Sequence, residues 1–150
     1  MRPHRRLRPF VGESEAAALV ERYALGTWQR AASELAYGCC LDGAALAALV
    51  LDDLDLDGGW VTSRGVARPL GRLAREAVTA YLASGGGPRR GGRSILPSLR
   101  HVKAAVPARL LAFSAAVHMV RRGADVVTVG VLLGYTSPGS ASRALGAFSV

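Results

Sequence analysis

Cysteine is scarce in this chain: there are two, Cys39 and Cys40, and they are adjacent. Sequence neighbours do not suit disulfide geometry, and no ligand spacing supports a zinc site. Both read as buried free thiols in a reducing compartment. Lysine is nearly missing, with Lys103 the one lysine among 19 basic residues. Long apolar runs are missing too: strongly apolar uncharged stretches such as Leu110–Val120 are too short to span a bilayer. The basic opening MRPHRRLRPF is followed by VGESEAAALVERY, not by an apolar leader core, so neither a secretory nor a twin-arginine signal is read there. These absences point to a cytoplasmic protein without a membrane partner. Charged residues are 20% and hydrophobic residues 50%, which excludes a disordered or collagen-like chain. A chain of 150 residues makes one domain the default, with a core that needs no staple.

What is present is arginine, and it is unevenly spread. The net charge is +8. Residues 1–12 form a basic arm with Arg2, Arg5, Arg6 and Arg8. Residues 85–109 carry Arg89, Arg90, Arg93, Arg100, Lys103 and Arg109 with no acid. Residues 42–57 are the reverse: Asp42, Asp52, Asp53, Asp55 and Asp57 with no base. Guanidinium keeps its charge and grips phosphate in a fork, so a polarised basic surface of this kind suggests a polyanion, and DNA above all.

Patterning predicts a mostly helical domain over 13–150 with one small β-hairpin. A helix runs from Glu13 to Gly26, with Ala16, Leu19, Val20 and Tyr23 on one face. Thr27 caps a second through Cys40, with Trp28, Ala31, Ala32, Leu35 and Ala36 inward. A third spans about 44–51. Strands 60–62 and 66–68 flank Ser63-Arg64-Gly65. Helix 70–82 turns Leu73, Ala77, Ala80 and Tyr81 inward. Residues 84–94 form a flexible basic loop. Helices follow at about 98–105, 108–121, 126–133 (capped by Asp125 and ended by Gly134) and 140–148.

Motifs that imply a cofactor fail on their own chemistry. Asp53–Gly58 opens like a calcium loop, but the twelfth position is Arg64, which repels the ion. Gly87–Ser94 is one residue short of a phosphate-binding loop, lacks its lysine, and follows a helix where a strand is needed. His118, among Ala115, Ala116 and Met119, reads as a satisfied core-edge histidine. No cofactor or metal is implied.

The order of the pieces resembles the catalytic domain of tyrosine recombinases, the phage-integrase family. Residues 35–56, from LAYGCCLDGAAL to LVLDDLDL, are similar to the family's Y-x-T-G-L-R-x-S-E-L…L…W-x-D-I-D. The hairpin VTSRGVARPL resembles a shortened V-x-G-K-G-x-K-x-R-x-V-P-L. Arg122-Gly123-Ala124-Asp125 followed by Val131-Leu132-Leu133-Gly134 resembles L-L-x-x-G-A-D…V-x-x-L-L-G-H. The family attacks a DNA phosphate with a tyrosine hydroxyl, aided by two arginines, a lysine and His/Trp groups. Carried over by position, the first arginine falls on Asp42 and the lysine on Arg64. H-x-L-R-H falls on Arg109–Phe113, so Arg109 keeps a charge while Ala112 replaces the second arginine and Phe113 the histidine. The group after Leu-Leu-Gly falls on Tyr135, and the nucleophilic tyrosine on Ala144. The resemblance therefore implies a recombinase fold with no intact catalytic set. The family's separate core-binding domain is expected to be absent, because helix signals begin at Glu13.

The expected function is weak, mostly non-specific DNA binding through Arg2, Arg5, Arg6, Arg8, Arg64, Arg89, Arg90, Arg93 and Arg109, without strand exchange. An active recombinase is one further expected partner. Self-association through the C-terminal helix is another. The alternatives are a helical protein-interaction module that has lost DNA, and an active enzyme with rearranged residues.

Overall fold

The computed structural model describes residues 9–88 and 92–149. Arg2, Arg5, Arg6, Arg8, Arg89 and Arg90 lie outside the described residues.

Among the described residues, eight α-helices and one small sheet share the chain: α1 (Glu13–Glu21), α2 (Trp28–Cys39), α3 (Gly43–Ala47), β1 (Leu54–Asp55), β2 (Trp60–Ser63), β3 (Val66–Pro69), α4 (Arg72–Ala83), α5 (Leu99–Ala105), α6 (Ala108–Arg121), α7 (Val126–Leu133) and α8 (Pro138–Leu145). The domain is mainly α-helical, as the patterning implies. Its centre is α2, whose small residues Ala31, Ala32 and Ala36 let α6 and α4 approach on either side. A second cluster lies on the far side of α6, where Phe113, Val117 and Val120 meet Val129 and Leu145.

The helix ends follow from local chemistry. Thr27 accepts a hydrogen bond from the Arg30 amide at α2. Asp125 accepts from both the amide and the hydroxyl of Thr128 at α7. Gly134 ends α7 with a left-handed backbone, φ +93°.

The hairpin of β2 and β3 turns on Arg64 and Gly65, both at positive φ. That is the turn whose twist matches the flanking strands. Gly65 adopts it freely; Arg64 adopts it at a cost.

Several expectations need correction. The sheet has three strands, because the two-residue β1 pairs antiparallel with β2; so short a strand leaves no periodicity to read. α1 stops at Glu21, and Tyr23 instead donates its hydroxyl to the Ala105 carbonyl. The helix expected over 44–51 covers Gly43–Ala47, with a 3-10 turn at Leu51–Asp53. On α4 the inward set is Ala74, Ala77 and Val78, while Leu73 is 53% exposed. Packing against α2 turns Ala74, Ala77 and Val78 inward instead. The C-terminal helix begins at Pro138 and passes at Gly146 into a 3-10 turn. The basic loop is pinned at its end: Ser94 bridges to Val50 and donates its hydroxyl to the Ala47 carbonyl.

His118 is buried and satisfied, by partners far away in sequence. Its Nε2 faces the Val11 carbonyl at 2.9 Å, which can only accept, so the proton sits on Nε2. Nδ1 then accepts from the Tyr37 hydroxyl at 2.8 Å. This network also docks the end of the N-terminal arm, with Phe10 edge-on to Phe148.

Among the described residues no single helix is long and apolar enough to cross a membrane.

Candidate functional site

A cavity of about 630 Å³ opens where three junctions meet. The α2–α3 junction contributes Asp42, Gly43 and Ala44. The α5–α6 junction contributes Lys103 and Arg109. The end of α7 contributes Gly134 and Tyr135. Ala112 and Phe113, both buried, form part of its α6 wall. Asp42, Arg109, Ala112 and Tyr135, far apart in sequence, thus border one hollow. Ala144 does not: it sits half-buried in α8 against the second core cluster.

Arg64 reaches this hollow from the hairpin tip. Its Nη2 donates to both carboxylate oxygens of Asp42, at 2.9 and 3.0 Å. Its Nη1 lies 3.4 Å from the Leu133 carbonyl. Asp42 has a second task as the N-cap of α3, accepting the Ala45 amide at 2.9 Å. Burial by itself raises the Asp42 pKa, but the Ala45 amide and the Arg64 guanidinium outweigh it and hold the carboxyl below its ordinary value. The carboxylate is therefore ionised at neutral pH and already occupied by a cation.

Beneath the tip lies a residue that patterning missed. Arg68 on β3 is only 1% exposed. Its Nη1 donates to the Cys39 carbonyl at 2.9 Å and also to the Leu132 carbonyl. These are the last-turn carbonyls of α2 and α7, so one cation serves the negative ends of two helices. Its Nε and Nη2 have no partner. The strand pattern signalled only that position 68 alternates with 67; burial of a guanidinium follows from long-range packing.

Cys39 and Cys40 are buried and unpaired. Burial pushes their thiols up to about 11 and about 12, so neither is a nucleophile at neutral pH. Tyr23, Tyr37 and Tyr81 are committed to core hydrogen bonds, with Tyr81 donating to the Ile95 carbonyl at 2.7 Å. The aspartates that suggested calcium serve backbone amides: Asp53 accepts from Val50 and Asp55 from Gly58. Among the described residues no cluster of His, Cys, Asp or Glu is placed to hold a metal.

At the hollow and beyond it, Arg93, Arg100, Lys103 and Arg109 are all exposed. Among the described residues none of them is in an ion pair. Arg93 lies near Ser98 and His101 at the start of α5, α5 itself carries Arg100 and Lys103, and Lys103 and Arg109 border the cavity.

No protein-family profile matches the chain. A curated protein of Caldanaerobacter subterraneus subsp. tengcongensis, named as a tyrosine recombinase, is 29% identical over 133 residues, covering 73% of this chain and 46% of its own length. The crystal structure of XerA recombinase superposes with a TM-score of 0.79 at 17% identity, over 97% of this chain and 60% of that one. The Tn1549 transposon integrase, in complex with a circular intermediate DNA, gives 0.71 at 9% identity over 100% and 64%. This chain has the fold of a tyrosine-recombinase catalytic domain. It spans about half the length of the curated relative it matches.

One backbone detail agrees with the recombinase reading of residues 35–46. The glycine of Y-x-T-G-L-R falls on Cys40, and Cys40 holds φ +57°, a left-handed conformation that glycine adopts at no cost. The hairpin and the Leu-Leu-Gly end of α7 are joined through Arg64 and Arg68.

Proposed function

We propose that this domain binds the backbone of double-stranded DNA without cutting it. One observation carries the reading: Arg93, Arg100, Lys103 and Arg109 are exposed and, among the described residues, in no ion pair, and two of them, Lys103 and Arg109, border the cavity of a recombinase-like fold. The relatives support it. The Tn1549 integrase structures are complexes with DNA.

These cations meet phosphates and read no bases, because arginine contacts to phosphate position a protein without specifying sequence. Binding is then weak and steeply salt-dependent, with Kd on the order of 10⁻⁴–10⁻⁶ M. Arg2, Arg5, Arg6, Arg8, Arg89 and Arg90 add further positive charge to the chain.

Strand cleavage lacks its parts. Where the resemblance requires two arginines and a tyrosine, the chain has Asp42, Ala112 and Ala144. A carboxylate facing a scissile phosphate opposes the charge that the transition state must develop. Arg64, in the place of the lysine, is a poor proton donor. Tyr135 borders the cavity, but the positions of the two family arginines hold Asp42 and Ala112.

Fluorescence anisotropy with a labelled duplex, titrated between about 50 and 200 mM salt, tests the reading. Replacing Arg93, Arg100 and Arg109 by alanine should weaken binding and flatten the salt slope by about 0.9 for each phosphate no longer neutralised. An unchanged slope would refute this surface.

The interaction-module reading has less support. Leu145 and Phe148, the apolar side chains it would offer to a neighbour, pack on the chain's own second cluster.

A further inference from the structure

We propose that Asp42 is a built-in anion that keeps a phosphate out of the Arg64 seat, and so sets how tightly the cavity holds a phosphodiester. The inference rests on the phosphate-binding reading of the surface and adds a residue that tunes it.

The seat is fully furnished. The Arg64 guanidinium sits at the cavity edge, at the tip of a hairpin whose turn forces an arginine into positive φ. Its Nη2 spans the two oxygens of Asp42, much as a guanidinium grips two oxygens of a phosphate. Lys103 and Arg109 border the same space. Without a carboxylate at position 42, Arg64, which touches the rim residues Asp42 and Leu133, would add a third unneutralised cation beside the two, Lys103 and Arg109, that line the hollow, and a dianion or a diester would fit their charge. With it, Arg64 is neutralised, and any phosphate entering must either displace a carboxylate or sit beside one. Displacement is costly here because Asp42 is held twice, by Arg64 and by the Ala45 amide.

Asparagine separates the two tasks. Asp42→Asn keeps an oxygen for the α3 cap, and asparagine is as good a cap as aspartate, but it removes the charge that satisfies Arg64. The experiment compares the full chain with Asp42→Asn, Arg64→Ala and the double variant, each checked for fold by circular dichroism. Two readouts are used: duplex DNA affinity against salt, and the thermal shift produced by inorganic pyrophosphate. Asp42→Ser, a second competent cap, replaces Asp42→Asn should the latter fold poorly.

The expected result for Asp42→Asn is at least threefold tighter DNA binding, a salt slope steeper by about 0.9, the share of one further phosphate, and a pyrophosphate-induced rise in Tm that the wild type lacks. Arg64→Ala alone should bind DNA less tightly than the wild type, since it leaves the Asp42 carboxylate uncompensated at the cavity. The double variant should lose both gains. The inference is overturned if Asp42→Asn gains neither DNA affinity nor pyrophosphate stabilisation, or if the double variant keeps the gains of Asp42→Asn without the Arg64 guanidinium. If no variant binds DNA while Asp42→Asn still responds to pyrophosphate through Arg64, the seat stands and the DNA-binding function falls.

Discussion

Replacing Arg68 tests how the hairpin is fastened to the helices, because two opposed effects meet there. Its guanidinium gives the Cys39 and Leu132 carbonyls their donor. Removing it leaves two buried acceptors short, at about 1–3 kcal/mol each. Against this, the native side chain buries a cation with Nε and Nη2 unpaired, and removing those two donors returns a comparable amount. The polar terms nearly cancel. Volume then decides. Arg68→Met fills the space with an apolar chain of similar length and should cost under about 1 kcal/mol. Arg68→Ala opens a cavity in a site that is 1% exposed and should cost about 3 kcal/mol. Urea denaturation reads both as shifts of the midpoint at constant slope. Equal losses for Met and Ala would refute the cancellation and show that the two carbonyl bonds govern.

Other expected outcomes follow from single residues. Tyr37→Phe strands Nδ1 of buried His118 and should destabilise by about 1–2 kcal/mol, read from urea midpoints. At the left-handed position 40, Cys40→Gly should be more stable than Cys40→Ala by about 1 kcal/mol, since both lose the thiol and only glycine relieves the backbone; a reversed order in urea midpoints would contradict the strain. The Asp42 carboxyl is held below its ordinary value of 3.8. Its contribution to stability is therefore present above that pH and is lost as pH falls through the lowered folded value. The stability gap between wild type and Asp42→Asn should narrow as the solution is acidified below about pH 4; a gap that stays constant would remove Asp42 from the ion pair.

What the residues reveal in advance is local. Thr27, Asp125, Gly134 and the Arg64-Gly65 turn each carry their signal within four positions, because caps and tight turns are short-range geometry. The inward face of α2 is legible for the same reason. Leu73 misleads because an amphipathic stripe fixes only spacing: which of two adjoining faces is covered is decided by packing against α2, which takes Ala74, Ala77 and Val78. The site is legible only as a set of substitutions along a family resemblance. Nothing near Asp42 announces Arg64, 22 positions on, as its partner, and nothing near Arg68 announces the end of α7, 64 positions on. The same holds for His118, whose donor and acceptor lie 81 and 107 positions away. Such pairs exist only once the helices pack.

A single incubation decides most directly whether phosphate binding has outlived phosphate cutting. The chain is mixed at low salt with a nicked duplex whose cleavage would trap a phosphotyrosyl adduct, and the sample is divided between native and denaturing gels. Retarded DNA on the native gel with no protein-linked DNA on the denaturing gel is the expected result. A covalent band, above all one abolished by Tyr135→Phe, would contradict it, as would DNA that runs free on both gels.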